Sequence, residues 1–294
     1  MSPLDKDEIE KIKEIARRIR IDVTKMVYIA GSGHIGGAFS CADILAVLFS
    51  KFLRRQNTNP FTDDRDRFVM SKGHGSAAVY AVMSIFNYFP EDILWTFRRV
   101  GSPLQGHPSR REMPFIEAST GSLGHGFSIA AGMAQGLKIR EIPARVFTIL
   151  GDGEVQEGQV WECFMACSHY KIDNICAVID RNELQIDGAT EDIMSLEPLD
   201  KKLESFRWNV ITTDGHDIPQ IISAFERFES NLESGKPTAI IAKTIKGKGV
   251  SVFEGNLKFH GVAPTLDELK KALSELGAPE EIENTIRLKK EFDG

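Results

Sequence analysis

Asp152 sits between Gly151 and Gly153, and Asn182 follows it by thirty residues at the end of Asp180-Arg181-Asn182. A carboxylate and a side-chain amide oxygen are hard donors that suit Mg²⁺ or Ca²⁺. Flanking glycines let the backbone come close to a bulky anion, whose own phosphate oxygens would complete the metal shell. The second set of chemical residues is histidine. Six of the seven (His34, His74, His107, His125, His216 and His260) adjoin a glycine, where chance placement of 25 glycines in 294 residues would put about one. Such histidines sit on turns, where imidazoles meet ligands. No pair has the i, i+4 spacing of a helical zinc site, so a polar pocket that binds phosphate and moves protons in sugar chemistry is the expectation rather than a histidine metal cage.

These residues need a frame that brings them together. Arg145 to Gly188 reads as strand, helix, strand: β-branched apolar runs at 146–150 and 175–179 flank a helical segment. In a right-handed βαβ unit both strands end on the same edge of the sheet, where open α/β folds bind ligands. Asp152 and Asn182 therefore converge. The rest of the chain continues the alternation, with strands expected at 67–71, 208–212 and 238–243 and helices at 76–86, 198–206 and 219–232. The fold class is α/β, a mostly parallel sheet with helices on both faces. A helix running through Ile9, Ile12, Ile15, Ile19, Val23 and Met26 closes at Gly31, Ser40 with Asp43 resembles a capping box for a helix over 41–53, and Pro90 opens a helix that ends near Gly101. Gly121 to Gly126 forms a glycine-rich turn leading into a helix of small residues, whose free N–H groups suit an anion or polar ring. A long loop with Lys243, Lys246, Lys248 and His260 precedes a helix capped by Thr265 and Glu268. The expectation is one domain over 1–294, with 265–294 as a C-terminal helical appendage.

Composition excludes several classes. A net charge of −6 with the signs interspersed offers no basic face for nucleic acid or anionic membrane. No apolar run approaches the roughly 20 residues of a membrane span, and the charged first helix is no signal peptide, so a cytoplasmic location is the default. Cys41, Cys163, Cys167 and Cys176 form no CxxC pair and read as small core residues. GSGHIGG at 31–37 formally matches a dinucleotide turn, but the helical period runs straight into it and no acidic residue lies about 20 positions on, only Arg54 and Arg55. Glu157 near a helix start would complement the helix dipole, and Glu162 among apolar residues would need a partner if buried.

GDG followed after thirty residues by Asn182 resembles the thiamine diphosphate fingerprint. Its companions GSGHIGG, SKGHGSAAVY, FRRVGSPLQGHP, STGSLGHGFSIAAGMA, GDGEVQEGQVWE, TIKGKG and FHGVAP are similar, in order, to the N-terminal, diphosphate-binding domain of transketolase. The resemblance covers nearly all of residues 19–264. It implies that Asp152, Asn182 and the Leu184 carbonyl hold Mg²⁺, with Ca²⁺ or Mn²⁺ as substitutes. It implies that Gly151, Gly153 and Glu154 adjoin the diphosphate, that His74 and His260 contact the diphosphate or the reacting sugar, and that His34 and His107 line the substrate channel. Gly121, Ser122 and Leu123 would seat the thiamine; Glu157 and Glu162 would link active sites across a protomer interface. Arg98 and Lys246 are further candidates for substrate or cofactor contact. His125 stands where the family commonly has glutamine and Ile35 where it often has proline, departures that bear on substrate preference.

A full transketolase is about twice this length, and its second domain supplies the glutamate that activates the cofactor's pyrimidine. The expectation is therefore the N-terminal subunit of a split transketolase, transferring a two-carbon unit between sugar phosphates of the pentose phosphate type once paired with a pyrimidine-binding C-terminal subunit. The simplest assembly is an α₂β₂ heterotetramer. The alternatives are a subunit of a related thiamine enzyme, similar to 1-deoxyxylulose-5-phosphate synthase or acting on an unusual sugar, and a non-catalytic regulatory subunit of the same fold.

Overall fold

The computed structural model describes residues 5–54 and 59–293; Arg55 lies outside the described residues. Its frame is a five-stranded sheet in which every neighbouring pair is parallel, in the order β1 (Arg67–Met70), β2 (Val146–Gly151), β3 (Ile175–Arg181), β7 (Thr238–Lys243), β6 (Asn209–Asp214). The central strands are buried on both faces, as their continuous apolar runs require. Alternation divides their side chains between two cores. Phe147, Ile149, Cys176, Val178, Ile240 and Ala242 face one, and Val146, Leu150, Ile175, Ala177, Ile179 and Ile241 face the other.

The first core is closed by α1 (Lys6–Ala30), α2 (Ile35–Ser40), α3 (Ala42–Val47), α4 (Ser76–Ile85) and, later in the chain, α9 (Ile218–Ser230) and α10 (Leu266–Glu275). The second is closed by α5 (His125–Ile139), α6 (Gly158–His169) and, after the short α7 (Thr190–Ile193), α8 (Leu199–Ser205). Helices thus cover both faces, as the sequence pattern predicts. α9 precedes β7, and α10 and α11 (Glu281–Asp293) pack on α1. Asp5 caps α1, Gly31 ends it in the left-handed region (φ 68°), and the Thr265/Glu268 capping box is formed. All four cysteines are buried and free.

Three local expectations fail. Ser40 ends α2 rather than capping α3, because its single hydroxyl hydrogen goes to Asp180 Oδ2 (2.5 Å) instead. The segment after Pro90 is only a 3₁₀ turn, Glu91–Thr96, and Arg98 then takes φ 61°. The last strand before α9 runs Asn209–Asp214, one residue later at its start and two at its end than expected. An unforeseen two-stranded hairpin, β4 (Leu184–Gln185) with β5 (Gly188–Ala189), follows β3 directly.

Candidate active site

Because the sheet is parallel, the segments that leave the carboxyl ends of its strands emerge on one edge: Ser71–His74 after β1, Asp152 after β2, Asn182–Leu184 after β3 and Thr244–Lys246 after β7. They border an open cleft of about 1050 Å³, solvent included, which Gly37, His34 and His260 also line.

Asp152 and Asn182, thirty residues apart in sequence, share this cleft with Leu184. Glu183 adopts φ 64°, turning the chain so that its N–H donates to Asp152 Oδ2 (2.6 Å) while the Leu184 N–H donates to Asn182 Oδ1 (3.2 Å). Asp152 Oδ1 accepts from Gly153 N (2.8 Å), and Arg181 Nη1 donates to Oδ2 (3.1 Å). Burial, with Asp180 nearby, raises the Asp152 carboxyl above its ordinary range. Among the described residues no cluster of three or more His, Cys, Asp or Glu is gathered as a metal site. A cation here would rest on one carboxylate, one amide oxygen and the Leu184 carbonyl. These are all hard oxygens, and they leave room for oxygens of a bound anion.

Beneath them lies an ion pair that the sequence reading did not single out. Lys72, 1% exposed, donates from Nζ to Asp180 Oδ2 (2.5 Å) and Gly37 O (2.6 Å), and Asp180 is fully buried. Asp180 also accepts from Ser40, Thr244 and Asn182 Nδ2 (3.1 Å), the last of which fixes the Asn182 amide with its oxygen on the opposite side. Burial disfavours both charges, but each is more than offset by the other: the Lys72 ammonium stays above its ordinary value and the Asp180 carboxyl below. The only sequence signal was a lysine at a strand end between Ser71 and Gly73.

His34, His74, His107 and His260 come together. Ring centroids are 5.5 Å apart for His34–His74, 6.0 Å for His34–His107, 5.6 Å for His34–His260 and 5.4 Å for His74–His260. Burial lowers all four below the ordinary histidine value. His34 falls to about 4, helped by the Arg98 guanidinium; His260 also falls to about 4, helped by Lys246; His74 lies well below normal beside Lys72. Near neutral pH each is therefore an uncharged ring with one donor and one acceptor nitrogen, suited to sugar hydroxyls and proton transfer. Arg98 Nη2 lies 3.3 Å from His34 Nδ1, and Lys246 Nζ reaches His260 Nδ1 (2.8 Å) and Leu184 O (3.2 Å). Lys246 itself is lowered to about 8, chiefly by burial and then by Lys72.

The other two glycine-flanked histidines lie elsewhere. His216 bonds Asp43 Oδ2 (2.7 Å) and accepts from the Ile245 N–H, and His125 is exposed on the first turn of α5.

The glycine-rich turn reaches the cleft through Gly121 and Leu123, whereas Ser122 is exposed outside the lining. Its position depends on two close approaches: a Cβ on Gly73 would lie 2.8 Å from Gly121 N, and one on Gly126 would lie 2.6 Å from Ser71 Cα. Glu154 lines the same wall, but its carboxylate is already engaged by Ser71 Oγ, Gly124 N (2.9 Å) and Gly151 N (3.0 Å), tying three loops together. Glu157 stands exposed at the cleft rim, and Glu162 is exposed on the outer side of α6, away from the cleft.

Comparison with known proteins gives a consistent result. The family profile described as transketolase, thiamine diphosphate binding domain, matches residues 11–291. The chain is 42% identical over 246 residues to the 6-deoxy-6-sulfo-D-fructose transketolase subunit SqwG of Clostridium sp. (strain MSTE9), covering 84% of this chain and 89% of that one. It is 38% identical over 287 residues to an apulose-4-phosphate transketolase subunit from Phocaeicola vulgatus, covering 98% and 99% respectively. The transketolase structure from Campylobacter jejuni superposes with a TM-score of 0.86 at 31% identity over 95% of this chain, which spans only 45% of that protein.

Proposed function

The chain belongs to the transketolase family through its thiamine diphosphate-binding domain, and from that premise we propose that it is the N-terminal subunit of a split transketolase. In this role it transfers a two-carbon ketol unit from a ketose phosphate to an aldose phosphate after pairing with a pyrimidine-binding subunit. The relatives matched nearly end to end are themselves named as subunits, which supports a partner chain. The observation that carries the reading is the meeting of four uncharged histidines with the Asp152, Asn182 and Leu184 oxygens in one cleft.

Asp152 and Asn182, with the Leu184 carbonyl, would hold Mg²⁺. Gly151, Gly153 and the Glu154 turn would bring backbone beside the diphosphate, and Gly121 and Leu123, without the outward-facing Ser122, would seat the thiamine. When bound, thiamine diphosphate supplies the electron sink for cleaving the ketose carbon–carbon bond. His74 and His260, which line the cleft, would contact the diphosphate end or the reacting sugar. His34 and His107 receive and return protons on sugar hydroxyls, which an imidazolium could not do as a base. Arg98 and Lys246 add positive charge for anionic substrate or cofactor groups. Glu157 and Glu162, being exposed, are free to meet a second protomer, and an α₂β₂ assembly is the simplest that completes two sites. Among the described residues no helix is long and apolar enough to cross a membrane. We place the enzyme in the cytoplasm, where its sugar phosphate substrates are.

A second reading concerns the donor. Two relatives are named for 6-deoxy-6-sulfo-D-fructose and apulose 4-phosphate, which supports a donor that is an unusual ketose carrying an anionic group. Co-purification with the native partner, followed by assay of two-carbon transfer from xylulose 5-phosphate and from these two ketoses to ribose 5-phosphate, tests both readings. Activity is expected only with both chains, Mg²⁺ and cofactor, and Asp152→Ala should abolish metal-dependent cofactor binding in calorimetry. Cofactor binding that survives Asp152→Ala undiminished would refute the metal assignment. A complex that binds no thiamine diphosphate would instead support a regulatory subunit.

A further inference from the structure

Between Asp180 and Asn182, whose side chains meet beside the cleft, strand alternation sends Arg181 to the opposite side. Arg181 is 3% exposed and does not line the cleft. A buried guanidinium this close to a functional carboxylate needs an explanation, because a cation beside a metal ligand repels the metal.

Its hydrogen bonds supply one. Nη1 donates to Asp152 Oδ2 (3.1 Å) and Thr190 Oγ1 (2.7 Å), Nη2 to Glu191 Oε1 (2.6 Å) and Glu197 Oε1 (3.2 Å), and Nε to Glu197 Oε1 (3.3 Å). Asp152 Oδ2 receives two donors, Arg181 Nη1 and the Glu183 N–H, which occupy both of its lone pairs. Oδ1 receives only the Gly153 N–H and retains a free lone pair. The positive charge of Arg181 is meanwhile shared with two further carboxylates, so the group of Asp152, Arg181, Glu191 and Glu197 remains net negative.

We propose that Arg181 is a positioning residue for the metal: it claims Asp152 Oδ2, leaves Oδ1 to ligate the cation from one oxygen, and is itself neutralised by Glu191 and Glu197. The inference rests on the reading of Asp152 as a metal ligand. It makes metal affinity depend on two glutamates that touch neither metal nor cofactor. Glu191 lies on α7 and Glu197 in the connection between α7 and α8, a stretch that also exposes Ile193 and Met194.

The test is Mn²⁺ binding, at saturating thiamine diphosphate, to the full chain in complex with its co-purified partner, followed by electron paramagnetic resonance of free Mn²⁺. Arg181→Met should weaken binding about ten-fold or more, as loss of an outer-layer partner of a metal ligand commonly does. Arg181→Lys keeps the charge but cannot span Asp152 and Glu191 together, and should fall between. The double substitution Glu191→Gln with Glu197→Gln should also weaken Mn²⁺ binding, because Arg181 then presents its full charge to the site. Circular dichroism and melting temperature separate these effects from unfolding. Unchanged or tighter Mn²⁺ binding in Arg181→Met would overturn the proposal; if that variant does not fold, unchanged binding in the glutamate double variant would do so. Failure of the unsubstituted complex to bind Mn²⁺ is a different result, which overturns the metal assignment itself and the role of Arg181 with it.

Discussion

Replacing Lys72 by methionine removes one half of the buried ion pair under the cleft and leaves Asp180, fully buried, with only the Ser40, Thr244 and Asn182 donors. Breaking a buried pair from one side costs about 3–5 kcal/mol, because the remaining charge stays uncompensated. Here the three remaining hydrogen bonds point to the lower end, about 3 kcal/mol. For a protein of this size that is a fall of roughly 6–12 °C in melting temperature. The effect carries a pH signature. In the unsubstituted protein the Asp180 carboxyl lies below its ordinary value, so its contribution is present above the unfolded value and is lost as pH falls through the folded one. Without Lys72 the shift reverses: burial raises the carboxyl above its unfolded value, and the native state loses stability as pH rises through that raised value. The difference between variant and parent should therefore be smaller near pH 4 than at pH 7.5, measured by urea denaturation across that range. The double variant Lys72→Met with Asp180→Asn buries no charge and should be destabilised by less than the sum of the single changes. A double variant whose loss equals that sum, or a Lys72→Met penalty independent of pH, would refute the account of the pair.

Two other outcomes follow from the geometry. In histidine-resolved NMR titrations His34 and His260 should stay uncharged down to about pH 4, with His74 and His107 also depressed, whereas a midpoint near 6.5 for the cluster would contradict its burial. Because the unfolded chain takes up these protons first, the cluster also makes native stability fall as pH drops from about 6.5 toward 4. Gly126→Ala would set a Cβ 2.6 Å from Ser71 Cα, an overpacking that costs about 1–3 kcal/mol and pushes the glycine-rich turn from β1; calorimetric melting together with cofactor affinity checks it, and an unchanged value of both would show that the contact is not needed.

Much of this protein was legible in one dimension. The apolar runs at 146–150 and 175–179, separated by a helical segment, point to a parallel βαβ unit, and a parallel sheet sends Asp152 and the Asn182 segment to one edge. Periodicity likewise located α1 and its end at Gly31, since a left-handed cap is chemistry local to the glycine itself. Glycine beside histidine marked turns but did not separate His34, His74, His107 and His260, which meet, from His125 and His216, which do not. That distinction depends on which distant turns the fold brings together, the start of α2 with His34, the turn after β1 with His74 and the 3₁₀ turn with His260, rather than on any local window.

Tertiary structure decided the rest. Ser40 carries a capping signature, yet Asp180, 140 residues away, takes its hydroxyl, because a buried carboxylate must collect donors wherever the fold supplies them. Lys72, Asp180 and Arg181 drew no functional expectation because a charged residue at a strand end looks the same in sequence whether it is solvated or sealed in. Local pattern sets element type and edge; burial and pairing, which alone shift charge states and fix the side chains around Asp152 and Asn182, exist only once the strands are in order.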